Sequence, residues 1–114
     1  MNNPETTARE QLTTRRQQLL HMRERIAQDL RHRNTSLLSD APDRAMQQEN
    51  EDTLAAINAA AAVEVDAIDH ALIRLSAGEY GVCECCGQDI EAARLRSLPY
   101  AVRCSRCARQ VVPG

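Results

Sequence analysis

Two cysteine pairs place the tightest limit on what this chain can fold into. Cys83 with Cys86, and Cys104 with Cys107, each enclose two residues, and seventeen residues separate the pairs. Two residues between thiols let both sulfurs face one ion from a single tight turn. Two such turns close a tetrahedral site of four thiolates, the arrangement of structural Zn²⁺, with iron as the rival metal. Gly87, directly after Cys86, permits the positive φ that such a turn often needs. A closed site leaves no position for water, so hydrolysis at this metal is not expected. All five Cys lie in the last third of the chain, at 83, 85, 86, 104 and 107. An odd, clustered set with no secretory signal at Met1–Glu5 points to a reducing compartment and metal, not to disulfides. Cys85 would pair with Cys83 only as C-x-C, a poorer match, so it is left out of the ligand set. It reads either as an inert exposed thiol or as a redox-responsive neighbour of the site.

The segment before the cysteines is helical by pattern. From about Thr6 to Leu38 there is no Gly or Pro, and Leu12, Leu19, Met22, Ile26, Leu30 and Leu37 recur at spacings of three, four and seven. Ser39-Asp40-Ala41-Pro42-Asp43 breaks the run, and Pro42 suits the first turn of a second helix. That helix is expected from about Pro42 to Ser76, ending before Gly78 as a C-cap residue. Its stripe is Leu54, Ile57, Ala61, Val65, Ile68, Leu72 and Leu75. Two helices joined by a short turn must run antiparallel, each about 50 Å long at ~1.5 Å per residue. The chain has no Trp or Phe and only two Tyr, so a narrow coiled-coil seam fits it better than a broad globular core. The stripes are then each other's core and not a cofactor site. The expected fold is mainly α: a long antiparallel coiled-coil hairpin over residues 1–77, then a four-Cys zinc-finger module over 78–114. That second segment is too short to fold on burial alone and needs the metal as a staple.

Charge supports the pairing and narrows the function. Residues 1–38 carry seven Arg against four acids, and residues 39–77 carry two Arg against eight. A basic helix beside an acidic one adds interhelical attraction. The whole chain has a net charge of −2 and no sustained basic stripe of the kind that DNA-binding domains use. No apolar run is long enough to span a bilayer, so a cytoplasmic location is expected. His21, His32 and His70 are far from the Cys in sequence and read as ordinary surface or seam residues.

The turn at residues 40–45 is acidic. Asp40 and Asp43 can simply cap backbone N–H groups at the start of the second helix. Carried to the far end of a long hairpin, the same carboxylates could instead meet a metal ion or a basic residue inside a narrow cavity.

Taken together, these pieces resemble the DksA/TraR family of regulators that bind bacterial RNA polymerase. The likeness rests on Asp40, Asp43 and Ala45 at the tip. In the finger it rests on Tyr80-Gly81, Cys83, Cys86-Gly87, Ile90, Arg94-Leu95, Pro99, Cys104 and Cys107. It implies one structural Zn²⁺ held by Cys83, Cys86, Cys104 and Cys107, and binding at the rim of the polymerase secondary channel. The coiled coil would enter the channel and place Asp40, with Asp43 and Ala45 beside it, near the active site. Open-complex stability would then change with no covalent chemistry, and Arg94 and Leu95 would be candidate polymerase contacts. The resemblance also implies that the chain lacks the N-terminal extension of longer members and has a short or missing C-terminal helix. Basic residues through which longer members bind guanosine tetraphosphate fall here on Ala67, Leu98 and Ala108. None of these can pair with a phosphate, so little or no dependence on that nucleotide is expected.

Two other readings compete. A zinc-finger nucleic-acid-binding protein would use Arg94, Arg96, Arg103, Arg106 and Arg109, although a four-thiolate site of formal charge −2 offsets two of them. A nuclease pairing Asp40 and Asp43 with Mg²⁺ lacks any pocket-forming sequence around those two carboxylates. Neither direct sequence-specific DNA binding nor enzymatic activity is expected.

Overall fold

The computed structural model describes residues 4–35 and 44–110. Among them are four helices: α1 (Pro4–Thr35), α2 (Arg44–Ser76), α3 (Ala92–Ser97) and α4 (Ser105–Arg109). The only β-type pairing among these residues is an isolated antiparallel bridge between Val82 and Asp89. The fold is therefore mainly α, with two long helices followed by a small cysteine-rich end, as the sequence leads one to expect. None of the described helices is long and apolar enough to cross a membrane.

α1 begins at Pro4, two residues before the expected start. Proline's missing N–H has no intrahelical partner in a first turn, and its fixed φ is already helical. The expected end of this helix near Leu38 and the expected start of the next at Pro42 lie outside the described residues. The far end of α2 closes as the glycine predicts. Gly78 takes a φ of +76°, its N–H donates to Leu75 O at 3.1 Å, and Glu79 N–H donates to Arg74 O at 2.9 Å. This pair of reversed bonds satisfies carbonyls that the helix end would otherwise leave open.

By compactness the chain divides into two units, Arg16–Val65 and Met1–Arg15 with Asp66–Gly114. In Arg16–Val65 the buried residues are Leu19 and Ile26 of α1 and Ala61 and Val65 of α2. Ile57, expected in this seam, is 41% exposed. The seam steps back from Val65 to Ala61 and then by three to Asn58, so Ile57 is turned about 100° further round the helix. Asn58 is half-buried in its place, and its Oδ1 accepts a hydrogen bond of 3.0 Å from Arg23 Nε. One polar pair in an apolar seam costs some stability and helps to set register.

The second unit buries Ala8 and Leu12 of α1 against Ile68, Ala71 and Leu75 of α2. Ala71 is fully buried here, and the expected Leu72 is half-buried beside it. Arg9 Nη2 donates to Ser76 Oγ at 3.4 Å within the same unit.

Candidate metal centre

The finger has little regular structure of its own, and short backbone bonds shape it. Cys83 N–H donates to Gln88 O at 2.7 Å, Gly87 N–H to Cys83 O at 3.0 Å, and Ile90 N–H to Gly81 O at 2.8 Å. These fold residues 81–90 into a tight knuckle that Gly87 closes at φ +75°. The second knuckle is the first turn of α4, where Ala108 N–H donates to Cys104 O at 2.9 Å. Glu84 N–H donates to Val102 O at 2.8 Å and ties the two knuckles together.

That frame brings Cys83, Cys86, Cys104 and Cys107 together, with all four sulfurs within 4.8 Å of one another. Cys83 and Cys104 are buried and Cys86 and Cys107 half-buried, and none of the five cysteines is in a disulfide. The Cys86 and Cys104 sulfurs are 3.9 Å apart. A tetrahedron with Zn–S bonds of ~2.3 Å has edges of about 3.8 Å, so the spacing fits one zinc. Ile90 joins Cys83 and Cys104 in a small buried cluster, with Leu95 packed against it.

The electrostatics of the donor set point the same way. Burial pushes the Cys83 thiol up, but N–H groups of Cys104, Cys86 and Cys85 outweigh it and bring it to about 6. Hydrogen bonds with Cys104 and Cys83, together with burial, push Cys107 far above the usual thiol range. Four neighbouring sulfurs cannot all ionise without a cation between them. The residues therefore make one structural zinc site, whose metal would supply cross-linking of the two knuckles and no open coordination position.

Around the sulfurs lies a polar shell that spacing alone did not reveal. His70 Nε2 of α2 is 2.8 Å from Glu84 Oε2, and Arg103 Nε donates to Glu84 Oε1 at 3.0 Å. His70 first, then Arg103, hold the Glu84 carboxyl below its usual range despite partial burial. Arg74 Nη2 donates to Val82 O at 2.9 Å, and its Nη1 to Glu79 Oε2 at 3.1 Å. Glu91 accepts from the Ser105 N–H at 3.2 Å and the Ser105 hydroxyl at 3.1 Å, which holds its carboxyl low. Tyr80, whose hydroxyl burial pushes up, donates to Pro99 O at 2.9 Å. The one legible hint of this shell was Glu84 itself, an acid placed inside a C-x₂-C turn.

The remaining candidates are scattered. Cys85 is exposed and outside the four-sulfur cluster. Arg94 spends its Nε on Arg103 O at 2.9 Å, and Leu95 faces the metal cluster and lies 3.7 Å from the position a Cβ on Gly81 would take. Ala45 is exposed in the first turn of α2, while Asp40 and Asp43 lie outside the described residues. An open cleft of about 550 Å³ is lined by Ala67 and His70 of α2 with Glu84, Tyr100, Arg103 and Ala108 among others.

Comparison with known proteins agrees with this geometry. Residues 78–111 match the prokaryotic dksA/traR C4-type zinc finger. An uncharacterized protein from Aquifex aeolicus (strain VF5) is 43% identical over 44 residues. That match spans 39% of this chain and 30% of the relative, so the chain covers about a third of that protein's length. Among solved structures, transcription factor DksA2 from Pseudomonas aeruginosa superposes with a TM-score of 0.77 at 29% identity, covering 93% of this chain and 81% of that one. The DnaK suppressor protein from Agrobacterium tumefaciens C58 gives a TM-score of 0.57 at 27% identity, covering 92% and 91%.

Proposed function

We propose that this chain, a member of the DksA/TraR family by its finger and its fold, regulates transcription by binding RNA polymerase directly and working through its secondary channel. The observation that carries the reading is a four-sulfur finger and a two-helix hairpin in one chain, with a DksA2-like fold over nearly its whole length. In this reading the finger end docks at the channel rim, where Arg94 and Leu95 are the candidate contacts. Leu95 would act from within, by its packing on the metal cluster, and Arg94 through the nitrogens that its bond to Arg103 O leaves over. The hairpin carries the turn at 40–45 toward the active site. Asp40 acts there, supported by Asp43 and Ala45, and shifts open-complex stability through charge and not through covalent chemistry.

The nucleotide side of the reading is supported by the cleft. Ala67 and Ala108 present methyl groups to it where longer members carry basic residues, so a tetraphosphate gains no charged partner from either. Output should therefore depend little on guanosine tetraphosphate. The nucleic-acid alternative is weakened by the finger's own bonds, because Arg103 is spent on Glu84 and Arg94 on a carbonyl. The test is transcription in vitro from a ribosomal RNA promoter, with and without the nucleotide. The wild-type chain should change promoter output severalfold with or without the nucleotide. Asp40→Asn should abolish the effect while leaving polymerase binding intact. An Asp40→Asn chain as active as wild type would overturn the tip assignment, and failure to co-purify with polymerase would overturn the whole reading.

A further inference from the structure

We propose that α2 is an outer support of the metal site, its side chains His70 and Arg74 setting how tightly the finger keeps zinc. The two residues are four apart on α2 and so lie on one helical face. Arg74 bonds the carbonyl of Val82 and His70 meets the carboxylate of Glu84. Between those two held residues is Cys83, which is only 1% exposed. The helix thus grips the first knuckle on both sides of its buried ligand. Glu84 extends the grip, because its second oxygen takes Arg103, the residue next to Cys104 in the second knuckle.

Residues beyond the ligands matter to a metal because they orient the ligands before the ion arrives. A knuckle already held on α2 loses less freedom on binding zinc than a free one. Coupling of this kind is reciprocal: what α2 adds to zinc binding, zinc returns as order in residues 66–76. Nothing here depends on what the protein docks on.

Zinc affinity of the full-length chain, measured by competition with a chromogenic chelator, tests the proposal. His70→Ala should weaken binding severalfold and Glu84→Gln about tenfold, the low end for residues that support ligands. The double variant should bind no more weakly than Glu84→Gln alone, because both changes break one link. Arg74→Met, which keeps an extended side chain but has no donor for Val82 O or Glu79, should also weaken binding severalfold. Arg25→Ala on α1 should match wild type. The Co²⁺ spectrum should keep its four-thiolate signature and helix content should be unchanged in every variant, which separates support from simple misfolding. Zinc should slow amide hydrogen exchange in residues 66–76 of the wild type, and slow it less in Glu84→Gln, where only the Arg74 link to Val82 O remains. Wild-type affinity in His70→Ala, or a full additive loss in the double variant, would overturn it.

Discussion

The Arg16–Val65 unit and the finger are built on opposite principles. The first is held by small apolar contacts along a seam, with Leu19, Ile26, Ala61 and Val65 buried and a polar pair between Arg23 and Asn58 among them. The finger buries few side chains, chiefly Ile90 and the cysteines themselves, and depends on one ion and a mesh of short hydrogen bonds. Stability is spread out in one and concentrated in the other. A seam of this sort should tolerate single losses in proportion to volume, whereas the finger should fail all at once when its metal is taken.

The largest expected effect comes from removing that metal. In small zinc modules the ion contributes on the order of 10 kcal/mol. Chelation should therefore abolish exchange protection of the Ile90 and Cys83 amides while the helical signal of residues 16–65 persists. Retained protection would mean that the hydrogen-bond mesh suffices, and the contrast would fail. Next is Leu19→Ala in the seam, where Leu19 is 2% exposed. A loss of about 2–4 kcal/mol is expected from thermal melts followed by far-UV circular dichroism. The Co²⁺ spectrum of the finger should not change. Smallest is Gly78→Ala at the end of α2. An added Cβ meets nothing within 4 Å, so only the strain of φ +76° is at stake. The cost should be about 1 kcal/mol, and a melting temperature equal to wild type would show that the helix end can close another way.

Much of the plan was legible because its signals are local or periodic. The two C-x₂-C pairs lie within single turns, so their spacing already carries the geometry that brings four sulfurs within 4.8 Å. Seven-residue recurrence of Leu12, Leu19 and Ile26 marks one helix face whatever packs on it, and all three are buried. Gly78 announced a helix end whose bonds are formed as its type requires. Less legible were contacts that depend on where two distant segments meet. Ile57 and Asn58 are adjacent, and hydrophobicity alone favours the wrong one, because only the paired helix at Arg23 makes the asparagine a seam residue. Ala8 and Ala71 look neutral in sequence, yet the fold buries them.

By itself, then, the sequence determined the two long helices, most of their apolar faces and a four-thiolate zinc site, because each follows from bonds and spacings within a turn or a repeat. The tertiary structure alone decided which polar groups surround that site. His70, Glu84 and Arg103 belong to three separate segments, and Arg74 finds its partner in a backbone carbonyl. A hydrogen bond needs its atoms within about 3 Å, and no one-dimensional pattern encodes that distance until the chain has folded.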